Sequence, residues 1–300
     1  MKTQEKTVAQ EKIAVQERVL VTGASSRLGQ LVLEELLKAG HRDLIAMPRS
    51  WKNVSLFSPR GVDLRSPDCN DQAGLVQEFR GVTRVLLIST LSFEGSRREH
   101  RSVIESATKA GVRHIVYASC AKAGSFASPS IVEHRETETL IKASGLKYTF
   151  LRNCLFAENL QFTLPLALET GKLYGCAGDG RVAYLTRRDC AAAIAGALLH
   201  ADRVENAVFD LTGPHSYSHR ELADLVSELT GKKVSYEDVT SDQFKASLVS
   251  SGFPEMFAPT FVDFDVAIRR GVLGKVTDSV RKLTGKPAED IREVLKGCLH

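Results

Sequence analysis

Short apolar runs alternate with segments of helical period over the first half of the chain. Val19 to Val21 is an apolar run that stops at Thr22-Gly23, and Leu31, Val32, Leu36 and Leu37 follow at helical spacing before Gly40. This pattern predicts a buried strand, a tight turn and a helix. Further strands are predicted at 43–47, 62–65, 85–88, 114–118 and 148–151. Helical patterns run up to Phe79, from Arg97 to Ala110 and from Val132 to Ser144. Nearly continuous apolar strands alternating with helices define an α/β fold with a doubly wound parallel sheet. Ligands of such sheets sit beyond the C-terminal strand ends, so the expected crevice is rimmed by Gly23, Arg49, Ser89, Ser119 and Asn153.

After Asn153 the pattern loosens. Pro165 interrupts an apolar stretch from Leu155 to Leu168, and Gly171, Gly175, Gly178 and Gly180 mark turns. Thr186-Arg187-Arg188-Asp189 opens an alanine-rich helix, Ala207 to Leu211 reads as a seventh strand, and Val234 to Val239 as another. Ser218 and Glu221 have capping-box spacing, with Gly231 as the stop of that helix. The expected organisation is a frayed extension over 1–17, a Rossmann core over 18–154 and a smaller, mostly helical substrate lobe over 155–300. Segments near 182–212 are expected to return to the core.

Composition narrows the function classes. The net charge is +4 over 300 residues and well mixed, which argues against a dedicated nucleic-acid binder. No apolar run reaches the length of a membrane span. The six cysteines have no zinc spacing, and no secretory signal precedes them, so reduced thiols and a cytoplasmic location are expected.

The turn after the first strand carries the clearest chemistry. Backbone amides from Gly23 to Gly29 and the following helix N-terminus suit a pyrophosphate. Gly23 supplies backbone freedom, and Gly29 allows close packing of helix on strand. Ser26 stands where G-x-x-G-x-x-G has its middle glycine, and its hydroxyl offers partial compensation by bonding phosphate. Arg49 follows strand two, where an acid would favour NAD; with Arg27 it favours the 2′-phosphate of NADPH. Asp68 could meet the adenine edge or cap a helix. Arg97, Arg98, His100 and Arg101 read as a solvated basic face more readily than as an anion-attracting rim. The Tyr-x-x-x-Lys pair of many carbonyl reductases is missing: counting back from Glu138 puts His134 at the lysine and Ser130 at the tyrosine. Tyr117, on strand five, falls outside that spacing. Hydride transfer without such an acid suits acceptors that take their proton from water, such as quinones and cationic dyes. His134 remains as the catalytic candidate, whether as proton donor, ribose contact or helix cap.

T-G-A-S-S-R-L-G at 22–29, M-P-R-S at 47–50, L-L-I-S-T at 86–90 and H-R-E-T-E at 134–138 resemble the NmrA-like branch of atypical short-chain dehydrogenases. So do L-R-N-C-L-F-A-E-N at 151–159, G-D-G-R at 178–181 and T-R-R-D at 186–189. Within that branch the likeness is to type 2 NAD(P)H:quinone oxidoreductases and triphenylmethane reductase, the latter also through S-G-F-P-E-M-F at 251–257. The resemblance implies bound NADPH. It transfers phosphate contacts to Gly23, Ala24, Ser25, Ser26, Arg27 and Leu28, and the 2′-phosphate contact to Arg49. Ser89, Thr90 and Leu91 become further cofactor contacts, and Asn153, Leu155 and Phe156 those that touch or cover nicotinamide. It implies an NADPH-dependent reductase whose partner is a small conjugated acceptor, a quinone, a dye or a polyketide-like metabolite. The alternative is a non-catalytic dinucleotide sensor. No nucleic-acid, membrane or metal partner is expected, and a homodimer stays open.

Overall fold

The computed structural model describes residues 17–51, 53–66, 71–89, 95–121 and 129–298. Asp68, Thr90 and Leu91, with positions 1–16 of the expected extension, lie outside the described residues.

The strands are β1 (Val19–Thr22), β2 (Leu44–Met47), β3 (Asp63–Leu64), β4 (Arg84–Ile88), β5 (His114–Cys120), β6 (Lys147–Asn153), β7 (Lys172–Gly175), β8 (Arg181–Val182), β9 (Ala207–Leu211), β10 (Tyr217–Ser218) and β11 (Ser235–Asp238). The helices in the first half are α1 (Arg27–Lys38), α2 (Gln72–Glu78), α3 (Gly95–Lys109) and α4 (Pro129–Ala143). The second half adds α5 (Leu164–Thr170), α6 (Arg187–Leu199), α7 (His219–Thr230), α8 (Ser241–Ser250), α9 (Ala258–Arg269), α10 (Ser279–Thr284) and α11 (Ile291–Cys298).

Seven strands form one sheet in the order β3-β2-β1-β4-β5-β6-β9, and every pairing in it is parallel. The two-residue alternation of a strand divides its side chains between two cores. Val19, Val21, Leu86, Ile88 and Val116 pack with the apolar stripe of α1 and with α6. Leu20, Val85, Leu87, Ile115 and Tyr117 point the other way, onto α2, α3 and α4. Tyr117 thereby faces α4, which sets up the site below.

The chain after β6 follows a more irregular course. Strand β9 joins the sheet beside β6, and α6 lies against α1. The capping box at Ser218 and Glu221 forms, and Gly231 closes α7 with φ of 69°. Gly171 makes its expected turn with φ of 72°, but Gly175 stands in a strand instead. After Gly171 ends α5, β7 pairs in parallel with β11, outside the main sheet. Gly175 in β7 is required by packing: a Cβ there would sit 2.7 Å from an Asp265 carboxylate oxygen. Among the described residues no helix is long and apolar enough to cross a membrane.

Candidate active site

Three features shape the turn between β1 and α1. Gly23 has φ of +61°, which only glycine adopts at little cost. A Cβ on Gly29 would lie 2.5 Å from the Gly23 carbonyl oxygen, so this position also excludes a side chain. Ser26 has an extended backbone with φ of −71° and needs no glycine. Its Oγ accepts the Gly29 amide at 3.0 Å and caps α1. The oxygen is engaged in the cap, and the hydroxyl proton remains to donate. Arg27, the first residue of α1, is exposed and makes no ion pair among the described residues. Arg49 lies just beyond β2 and pairs with Glu99 of α3. Two glycines that admit no Cβ, an open helix N-terminus and a cation beside it fit a dinucleotide phosphate.

A cavity of about 1120 Å³ opens at the C-terminal ends of the sheet strands. It brings together Ser26, Arg27, Leu28, Ser89, His134, Asn153, Leu155 and Phe156 of the residues expected from sequence. Gly23, Ala24, Ser25 and Arg49 are not part of its lining. Ala24 is fully buried, and the Ser25 carbonyl accepts the Gln30 side chain at 3.0 Å, so these two shape the turn. Ser119 lines the cavity but spends its hydroxyl on Glu138 at 2.8 Å. Glu138 also receives Arg152 through two bonds of 2.9 and 2.7 Å, so this carboxylate locks α4 to β5 and β6. The Cys190 thiol donates to Asn153 Oδ1 at 3.3 Å, which fixes the amide at the end of β6. Phe156 is held by a bridge to Leu185, with the Arg187 guanidinium 5.0 Å over its ring. Arg187 itself is held by Asn159 at 2.6 Å.

The far wall of the cavity is aromatic. Phe162, Phe253, Phe257, Phe261 and Phe264 line it. The ring of Phe261 lies 4.6 Å from Phe253 and 5.9 Å from Phe162, edge to face in both pairs. The segment at 251–257 carries a family likeness, and the wall it helps to build is not among the site residues expected from sequence. The signal was present: phenylalanines at 253, 257, 261 and 264 recur at helical spacing in a region with few other patterns.

His134 is six residues into α4, so it does not cap that helix. Its Nδ1 lies 2.7 Å from the hydroxyl of Tyr117, which is fully buried. Burial pushes the imidazole down to about 4, so the ring is neutral near pH 7. Burial also raises the Tyr117 phenol well above its ordinary value, so it keeps its proton. Sequence spacing gave no hint of this pair, because the two residues meet only across the β5–α4 packing. His100 corrects another expectation. It belongs to the interior and not to the basic face of α3, bonding the Thr137 hydroxyl through Nδ1 at 3.0 Å. Arg97 on that helix is exposed and pairs with Glu136 at 3.1 Å. The cavity thiols, Cys120 and Cys154, are both pushed up to about 12 by burial and are no nucleophiles at neutral pH.

Comparison with known proteins gives a consistent set of relatives. The profile of the NmrA-like family matches residues 15–270. Quinone oxidoreductase 2 of Escherichia coli (strain K12) is 34% identical over 276 residues, covering 92% of this chain and 96% of that protein. Its crystal structure complexed with NADPH superposes with a TM-score of 0.89, over 94% of this chain and 100% of that one. The Citrobacter sp. triphenylmethane reductase complexed with NADP(H) has a TM-score of 0.86 at 32% identity, over 94% of this chain and 99% of that one. An NAD(P)H azoreductase of Xenophilus azovorans is 28% identical over 279 residues, 93% of this chain and 96% of that protein.

Proposed function

The chain belongs to the NmrA-like family, and we propose that it is an NADPH-dependent reductase of flat, conjugated acceptors. The observation that carries this reading is one cavity that joins the phosphate turn of α1, the His134 imidazole and the phenylalanine wall. Relatives named for quinones, azo compounds and triphenylmethane dyes support the acceptor class.

Gly23 and Gly29 let the backbone approach the pyrophosphate, and Ser26 and Arg27 add a hydroxyl proton and a charge. Arg49 serves the 2′-phosphate. NADPH, when bound, supplies two electrons as hydride. Asn153, Leu155 and Phe156 hold the nicotinamide end against the acceptor, and the phenylalanines stack on the acceptor and keep water from its face. A quinone that has taken hydride carries negative charge on its oxygen, and a proton from water completes its reduction. His134 is neutral, so it does not act as a full acid, and in its Nε2–H tautomer it donates a hydrogen bond to that oxygen. A quinone suits this arrangement because its reduced anion is stable enough to wait for water, and a cationic triphenylmethane dye suits it because hydride alone completes its reduction to a neutral product. A simple ketone offers neither, and the Tyr-x-x-x-Lys pair that serves ketones is missing here.

Oxidation of NADPH in the presence of a panel of quinones, azo dyes and triphenylmethane dyes tests the proposal. Turnover with at least one of them, and none with simple ketones, is expected. If NADPH binds and no acceptor oxidises it, a dinucleotide-sensing role replaces the enzymatic one.

A further inference from the structure

Tyr117 occupies a position that the packing of the sheet does not require to be polar. Its ring lies among Leu87, Ile115 and Phe150 in an apolar core, and a phenylalanine would fill the same space. The hydroxyl at its tip meets His134 Nδ1 at 2.7 Å, within the range of a strong hydrogen bond. The Ser89 and Thr137 hydroxyls lie beside the same phenol oxygen. Thr137 spends its own proton on the Glu133 carbonyl at 3.0 Å. His134 has no other hydrogen bond among the described residues, and it lines the cavity. With Nδ1 taken, Nε2 is the nitrogen left for a ligand.

The direction of the Tyr117–His134 bond decides what Nε2 offers. If Nδ1 carried the proton and donated to the phenol, Nε2 would present a lone pair and repel a developing oxyanion. If the phenol donates, Nε2 carries the proton and attracts it. A phenol is a stronger donor than a neutral imidazole, and an imidazole nitrogen is the better acceptor. We propose that Tyr117 is a positioning residue: its hydroxyl donates to Nδ1 of His134, holds the ring as the Nε2–H tautomer and so aims a neutral donor at the acceptor oxygen. The role rests on the reductase reading, but the tautomer is a property of the protein alone. Ser89 ties the pair to the end of β4, where the sequence places a cofactor contact.

Two measurements test this. The first reads the imidazole nitrogens of His134 by long-range 1H–15N NMR at pH 7, on the full chain without added cofactor. An Nε2-protonated pattern is expected in the parent, and a mixed or averaged pattern in Tyr117→Phe. An Nδ1-protonated parent overturns the proposal, whatever the activity. The second is a cycle with His134→Gln, whose side-chain amide offers a donor near the Nε2 position without a tautomer to fix. Leaving Nδ1 buried and unpaired is expected to lower kcat of Tyr117→Phe about ten- to a hundredfold, with KM for NADPH within about twofold. The same change in the His134→Gln background is expected to cost less than about threefold. Equal losses in both backgrounds mean that Tyr117 acts only through packing, and the proposal fails. If Tyr117→Phe does not fold, the parent spectrum still decides the tautomer. If the parent reduces no acceptor while the spectrum shows Nε2–H, the reductase reading fails and the tautomer assignment stands.

Discussion

Arg49, the cation expected to hold the 2′-phosphate, is ion-paired with Glu99 on the neighbouring helix α3. The carboxylate orients the guanidinium, and it also competes with a phosphate for it. Discrimination between NADPH and NADH is then a balance between the two anions.

Arg49→Ala is expected to weaken NADPH binding about ten- to a hundredfold, from charge-assisted bonds worth roughly 1.5–3 kcal/mol, and to leave NADH nearly unchanged. Glu99→Gln is expected to tighten NADPH by a few-fold, because phosphate no longer competes with a full charge. Titration of each variant with both cofactors measures this. Equal weakening of NADPH and NADH by Arg49→Ala would remove the residue from 2′-phosphate recognition.

Ser26 combines two roles that separate by mutation. Ser26→Gly loses the cap to Gly29 at a cost of a few tenths of a kcal/mol, while Ser26→Ala costs about 1 kcal/mol. The glycine also opens closer approach of phosphate to the backbone. Ser26→Gly is therefore expected to change NADPH affinity by less than about threefold and Tm by a degree or two. A tenfold or larger loss of affinity would make the hydroxyl a primary phosphate ligand.

The difference between what the sequence revealed and what it hid follows contact range. The strand–turn–helix at 19–38 was legible because its signals are local: an apolar run, two glycines at fixed spacing and a helical stripe. The capping box at Ser218 and Glu221 was legible for the same reason. Strand β7 was hidden, since its partner β11 lies about sixty residues on and its glycines look like turns. Counting from Glu138 reaches His134, but the same motif spacing excludes its partner Tyr117. Only the facing of β5 onto α4 brings the two together. The phenylalanine wall had a periodic signal, but periodicity alone does not say which face lines a cavity and which fills a core.

Acid stability should report the buried histidines. His134 and His114 are held down at about 4 and His100 at about 3, chiefly by burial, against an ordinary value of 6.5. The unfolded chain therefore binds more protons than the folded one between about pH 6.5 and 4. Their stabilising contribution is complete above 6.5 and is lost as pH falls through that window. Each contributes roughly 2 kcal/mol of loss between pH 6.5 and 4.5, at about 1.4 kcal/mol per unit. Asp265, raised by burial, acts in the opposite sense. The carboxylates of Glu17, Glu34 and Glu221 are lowered from 4.5 and act mainly below this range. Around His134 the facing titratable groups are Tyr117 and His100, neither of which gains charge in the folded state there. Tm measured from pH 8 to 4.5 is expected to fall below 6.5, and less steeply in His134→Gln. An unchanged slope in that variant would mean that His134 is charged in the folded protein.

The acceptor wall makes a prediction that depends on the size of the acceptor. Phe261 contacts Phe253 and Phe162 edge to face and faces the cavity, so its removal takes away a stacking surface and loosens its two neighbours. An aromatic pair contributes about 0.5–1.5 kcal/mol beyond burial, so loss of one stacking contact with the acceptor corresponds to roughly two- to twelvefold in KM. On the proposed binding mode a triphenylmethane dye or a naphthoquinone would reach that wall, whereas a single-ring benzoquinone held near His134 would touch it less. Phe261→Ala is expected to raise KM for the large acceptors and leave benzoquinone KM and NADPH affinity within about twofold. Phe156→Ala should differ, because Phe156 lies under Arg187 on the side of the cavity near Asn153. It is expected to lower kcat for every acceptor, since on the proposed binding mode the nicotinamide end would lose a surface that keeps it in reacting geometry. Steady-state kinetics with one large and one small quinone, alongside NADPH titration, separates the two residues. If Phe261→Ala raises KM equally for both quinones, the wall is not the acceptor face, and the phenylalanines serve only to pack α9 against the core.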